Sequence, residues 1–210
     1  TTLFRSAAGH FLAAGDVDAG LLRLLRAARK AARIGATEQA AMLTGRVLQL
    51  TSALPQNPER RRLRLRALCE RARLQWHGTF EGATLAEALA TAREARSLLA
   101  EDDPPRIQVE MATLLAGIYY DMGDLTSLER ALRELTEASR RLTAAGDPYG
   151  AARLLNDQAA VHIRIGDPVQ AAHLLQESRK LFERRAHEDR LAARELAETH
   201  HLLARLPLHV

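Results

Sequence analysis

The chain has 210 residues, of which 47% are hydrophobic, 27% charged and only 4% aromatic, with a formal net charge of +4 at neutral pH. Alanine, leucine, arginine and glutamate dominate and favour helix, while β-branched residues are scarce, so the composition argues against strands. No 18-residue stretch is apolar and uncharged, which excludes a membrane-spanning helix, and the lone Cys69 excludes an intrachain disulfide or a cysteine metal cluster and fits a reducing, cytoplasmic setting.

The opening Thr1-Thr2-Leu3-Phe4-Arg5-Ser6 reads as the translation of a common short-read sequencing adaptor, ACGACGCTCTTCCGATCT, with no initiator methionine before it. Residues 1–6 are therefore set aside from fold reasoning as adaptor-derived, and the chain is read as a fragment. Ten helical runs follow, at 4–14, 17–33, 37–52, 58–77, 83–100, 105–121, 125–145, 148–164, 168–185 and 187–205. Gly15-Asp16, Gly123-Asp124, Gly146-Asp147 and Gly166-Asp167 each join a glycine suited to a left-handed helix end to an aspartate suited to the next N-cap. Pro148 and Pro168 then stand at first helical positions, where the missing N–H costs nothing. Pro55 and Pro58 bracket the third break, and Pro104-Pro105 marks the fifth. No stretch is long or polar enough for an interdomain linker, which favours one continuous array.

Four of the glycines, Gly35, Gly78, Gly123 and Gly166, are spaced 43, 45 and 43 residues apart. Such a fixed period marks one supersecondary unit stacked on itself. The units lie near 17–52, 58–100, 105–145 and 147–185, with a partial unit at 187–206 and a tail at 207–210. On the run from Pro58, Leu63, Ala67 and Leu74 share one stripe, and Leu65, Leu68, Ala72 and Trp76 a second, nearly opposite. A surface helix needs one apolar face; two imply neighbours on both sides.

Aligned on the four glycines, the residue seven positions earlier is Ala28, Arg71, Ala116 and Ala159, and the residue four earlier is Ala31, Leu74, Tyr119 and His162. Five positions after the glycines stand Ala40, Ala83, Leu128 and Ala171, and nine after the last two stand Leu132 and Leu175. This pattern resembles the tetratricopeptide repeat, most closely over 105–185, where Ala112 to Asp124 and Leu155 to Asp167 carry it. The resemblance implies an all-α, right-handed solenoid of about ten antiparallel helices without a sheet. Three departures stand out: the period exceeds the family's 34 residues, Arg71 fills a small-residue slot, and the second unit has extra residues around Phe80-Glu81-Gly82-Ala83-Thr84. Longer repeats of this kind look like the helical arrays that follow the ATPase core of large bacterial signalling ATPases, serine/threonine kinases and transcription regulators. The segment Ala8 to Asp16 looks like the start of such an array.

Motifs for chemistry are missing from this stretch. There is no GxxxxGK[ST] phosphate loop, no GxGxxG after a strand, and no protein-kinase signature. His187-Glu188 lacks a second histidine at i+4, where Leu191 stands, and His200-His201 point to adjacent helix faces. No metal, cofactor or catalytic residue is assigned. His162 stands where a packing aromatic is usual and is expected in the core or groove, and Cys69 falls on the wide apolar stripe and is expected to be buried. Residues 60–73 hold seven arginines, on two strips, without interleaved aromatics for base stacking. The arginine excess, with Lys30 and Lys180 the only lysines, points to GC-rich coding rather than to a nucleic-acid site.

In tetratricopeptide geometry the first helix of each pair lines a concave face. The outward positions there are Gln75, Tyr120, Asp121, Arg153, Asn156 and Arg164, with Arg29 from the earlier pair. They suit a peptide of acidic character. The expected function is a non-catalytic interaction or sensor array in a larger signalling ATPase or protein kinase, binding a protein, a peptide or the parent chain's own ATPase or kinase domain. A free-standing repeat scaffold is the alternative, and a nucleic-acid binder or an enzyme on a helical array comes third. No membrane partner is expected.

Overall fold

A computed structural model describes residues 16–55, 57–78, 84–187 and 189–206. Among the described residues the structure is all-helical, with nine helices and no strand. They are α1 (Val17–Arg33), α2 (Thr37–Ala53), α3 (Pro58–Trp76), α4 (Leu85–Ser97), α5 (Pro105–Met122), α6 (Leu125–Ala144), α7 (Pro148–Ile165), α8 (Pro168–Glu183) and α9 (Arg190–Ala204). These match nine of the ten expected runs to within a few residues. The run expected at 4–14, the adaptor-like residues 1–6 and the tail at 207–210 lie outside the described residues.

Helix ends fall where local chemistry puts them. Gly35, Gly78, Gly123, Gly146 and Gly166 all have φ between 59° and 91°, the left-handed region that a residue without Cβ enters freely. At Gly166 the amide of Asp167 donates to His162 O at 2.9 Å, and that of Gly166 to Ile163 O at 3.2 Å. This closing pair satisfies carbonyls the helix leaves open, and it recurs at Gly35 and Gly146. The next residue often starts the following helix: the carboxylates of Asp124, Asp147 and Asp167 accept from the amides of Ser127, Gly150 and Gln170 at 2.8–3.1 Å. Helix α4 is shorter than expected at both ends, and Thr84 sets its start. Its hydroxyl accepts from Glu87 N at 3.2 Å while the Glu87 carboxylate accepts from Thr84 N at 3.3 Å.

The chain divides into two compact units, one through Asp102 and one from Asp103. The repeat units expected at 17–52 and 58–100 fall in the first, and those at 105–145, 147–185 and 187–206 in the second. In the first unit α1 packs on α2 and α3, α2 on α3, and α3 on α4. Leu63 and Ala67 of α3 join Leu21, Leu24, Leu25, Leu43 and Val47 in one core, and Leu74 joins Ala31 and Ala40 in another. The opposite stripe of α3, Leu65, Leu68 and Ala72, is buried too, and Cys69 with it at 1% exposure. The two apolar faces expected of this helix are thus both covered. In the second unit α5 packs on α6, α6 on α7, α7 on α8, and α9 on both α7 and α8. Ala159, Ala171, Leu175 and Leu202 form one core there, and Ala152, Phe182 and Ala192 another.

The left-handed glycines give a direct test. Nothing lies within 4 Å of a Cβ placed on Gly166, so Gly166→Ala carries only the backbone cost, about 1–2 kcal/mol. A Cβ on Gly123 would stand 2.5 Å from Arg164 Nη2, so Gly123→Ala must also displace that side chain. Urea unfolding should show both variants destabilised; an unchanged midpoint for Gly166→Ala contradicts the left-handed turn.

Candidate functional site

The first helices of successive pairs meet in a regular register. In the first unit Arg60 Nε donates to Asp18 Oδ1 at 2.7 Å, and Arg29 Nε lies 3.2 Å from Glu70 Oε1. Going from Asp18 to Arg29 on α1 answers going from Arg60 to Glu70 on α3, so these two helices run in the same direction, about one repeat apart. The second unit repeats the offset. Asn156 of α7 bonds Thr199 of α9, 43 residues on, and the guanidinium of Arg164 on α7 sits 4.7 Å from the ring centre of Tyr120 on α5. A shared register lines up equivalent residues of successive pairs on one face.

In the first unit Glu70 is the centre of this face. Its Oε1 accepts from Arg73 Nη1 at 2.7 Å and lies 3.2 Å from Arg29 Nε, with only 12% of the side chain exposed. Two guanidiniums against one largely buried carboxylate leave a net positive charge and fix both arginines. Arg29 is thus a framework residue of the face as well as a charge on it.

In the second unit the structure brings Tyr120 and Arg164 together and keeps both accessible, with Asp121 exposed beside Tyr120. A cation held over an aromatic face is attracted by the ring's quadrupole. Arg164 also lies over Gly123, where only the absence of a side chain leaves it room. Along α7 the exposed residues Arg153, Asp157 and Arg164 fall on one stripe, four and seven residues apart.

Two of the residues expected to point outward do not. Gln75 is 6% exposed and Asn156 3%. Asn156 lies on the side of α7 that meets α9, and becomes a buried linker. Its Nδ2 donates to Thr199 Oγ1 at 3.0 Å, Thr199 Oγ1 donates to Glu195 O at 2.9 Å, and Ser178 Oγ lies 3.5 Å away. The cluster ties α7, α8 and α9 together with its polar groups satisfied. Gln75 lies on the buried second stripe of α3, and its Oε1 has no hydrogen-bond partner among the described residues. His162 is half-buried, with Nδ1 3.6 Å from Asp167 Oδ2.

Sequence reasoning passed over Asp157. Its carboxyl is pushed up to about 6, chiefly by crowding of protein atoms around it and further by the Glu195 and Glu198 charges, against the opposing pull of Arg153. The residue nevertheless keeps contact with water, so its electrostatic influence is screened. The signal available in the sequence was its place between Arg153 and Arg164 on one stripe.

The arginines of 60–73 are mostly committed within the first unit. Arg60 pairs with Asp18, Arg61 and Arg62 with Asp102, Arg64 with Glu94, and Arg73 with Glu70. Arg66 and Arg71 are the two of the seven outside these ion pairs. A nucleic-acid site needs guanidiniums free to meet phosphates, and the pairing works against one here. Among the described residues no group of three or more His, Cys, Asp or Glu side chains is placed to hold a metal ion, and no helix is long and apolar enough to cross a membrane. The sequence matches no protein-family model and no curated protein.

Two measurements follow from this geometry. Asn156→Ala should cost about 1–3 kcal/mol in urea unfolding, because it strands buried partners, whereas Arg153→Ala on the exposed stripe should stay within about 0.5 kcal/mol. The second concerns pH. Between the ordinary Asp value of 3.8 and about 6, the folded chain holds a proton on Asp157 that the unfolded chain has released. This group's contribution to stability is therefore full below 3.8 and lost as pH rises through 6. Asp157→Asn should flatten the pH dependence over that window and be the more stable form at pH 7; a native titration midpoint near 4 by NMR would contradict the shift.

Proposed function

We propose that this chain is a run of tetratricopeptide-like repeats, antiparallel helix pairs stacked into a right-handed solenoid, that holds a protein or peptide along the face formed by its first helices. On this reading it is a non-catalytic, cytoplasmic part of a larger bacterial signalling ATPase or protein kinase, and its occupant is an acidic peptide or the parent's own catalytic domain. The observation that carries the binding reading is the accessible group of Tyr120, Arg153, Asp157 and Arg164, from successive first helices of the second unit. An aromatic face and two guanidiniums suit a ligand with carboxylates beside apolar side chains. Neighbouring pairs in a solenoid contact only one another, so an occupant spanning them changes curvature and signals mechanically.

Panning a random peptide library on the purified chain tests the face. Acidic sequences should be enriched, their affinity should fall with salt, and Arg164→Glu should weaken them roughly tenfold or more. Enriched peptides that bind Arg164→Glu and Arg153→Glu as tightly as the parent chain would remove this site. Parentage has its own test in the genomic sequence upstream of Ala7: an ATPase or kinase domain in the same reading frame supports the signalling parent, and a short leader points to the free-standing scaffold.

A further inference from the structure

Helix α1 carries five cations, Arg23, Arg26, Arg29, Lys30 and Arg33, against a single carboxylate, Asp18. Asp18 is bound to Arg60, and Arg29 lies against Glu70, both on α3. The other four cations, Arg23, Arg26, Lys30 and Arg33, are exposed. They follow one another at steps of three, four and three residues, which places them on one stripe of the helix surface. The opposite side, Leu21, Leu24, Leu25, Ala28 and Ala31, is buried. Like charges three and four residues apart repel, so the stripe weakens the helix that carries it. On the accessible stripe of α7 an aspartate, Asp157, stands between Arg153 and Arg164; no carboxylate of α1 breaks its row of cations.

The repeat shows what this side of a first helix is for. Leu154 and Val161 of α7 stand 12 and 5 residues before Gly166 and are each 2% exposed. Gln158 falls between them on the same side, and its Oε1 accepts from Thr136 Oγ1 of α6 at 3.4 Å. On this side, then, α7 receives the helix that precedes it. The residues 12 and 5 before Gly35 are Arg23 and Lys30. Where α7 offers a helix an apolar seat, α1 offers a cationic one, continued by Arg26 and Arg33 and ended by Ile34, 69% exposed.

We propose that this stripe is a docking surface for the acidic face of a helix from a second protein. Its four cations span ten residues, about 15 Å at 1.5 Å per residue. Glutamates at the same spacing on a partner helix rise at the same rate, so charge meets charge along the whole length. The steps of three, four and three read alike in both directions, so either polarity of the partner fits. The first unit already joins two helices in this manner, at Asp18–Arg60 and Arg29–Glu70. A nucleic acid suits the stripe less well, because α1 has no aromatic residue on which a base can stack. An anionic membrane does too, because the apolar side of α1 is buried in the core and not available to lipid. The surface uses none of Tyr120, Arg153, Asp157 and Arg164, so it stands or falls independently of the peptide-binding face.

The test uses two synthetic helical peptides of one composition, titrated against the whole chain by fluorescence anisotropy. In one the glutamates follow the three-four-three spacing; in the other they are spread around the helix. The patterned peptide should bind roughly tenfold more tightly or better, and added salt should weaken it. The double variant Arg26→Gln, Arg33→Gln should lose roughly tenfold or more of that affinity. Its urea midpoint should stay level or rise, because like charges have been removed from one helix face. Arg164→Glu should leave this peptide's affinity unchanged, which separates the stripe from the face of the second unit. A single-stranded oligonucleotide and phosphatidylserine vesicles serve as competing probes and should bind more weakly than the patterned peptide. Equal affinity for the two peptides, binding unaltered by the double variant, a lowered urea midpoint, or tighter binding of either competing probe would each overturn the proposal.

Discussion

Five of the helix stops in this structure depend on a glycine that holds a positive φ. At Gly35, Gly146 and Gly166 the left-handed turn lets two amides reach back to carbonyls that would otherwise lie open. After Gly146 and Gly166 the next helix starts on the side-chain cap of Asp147 and Asp167. The first helices α1, α3, α5 and α7 are all 17–19 residues long, and that near-constant length permits a shared register. The contacts Asp18–Arg60, Arg29–Glu70 and Asn156–Thr199 are the visible result.

That register separates two kinds of polar residue. Those that fall between first helices become structural: Glu70 is held by two guanidiniums, and Thr199 is buried among Asn156 and Ser178. Those a quarter-turn away stay wet and chemically available, as Arg153, Asp157 and Arg164 do. Burial of unpaired polar groups is expensive, so satisfied clusters of the first kind also specify which helix sits beside which. Arginine serves in both roles here. It closes ion pairs over long sequence separations in the first unit and stacks on Tyr120 in the second.

How much of this was legible beforehand follows from what each feature depends on. Helix ends were readable because glycine, aspartate and proline act over three or four residues, and α3 revealed both of its covered faces because apolar spacing alone encodes them. The inward turn of Gln75 and Asn156 was not readable. Whether a polar residue between two apolar stripes meets solvent or a third helix depends on neighbours 40 residues away. The pairing of Arg60 with Asp18 and of Arg64 with Glu94 is hidden for the same reason.

Cys69 lends this architecture a further use. It is the only cysteine of the chain, it lies on the face of α3 that packs inward, and 1% of it meets solvent. A thiol reacts as thiolate with reagents that can reach it, so in the native first unit alkylation has to wait for α3 to lift from its neighbours. The rate of labelling is then a clock for that opening, and it reads the local stability of the first unit while the second remains silent.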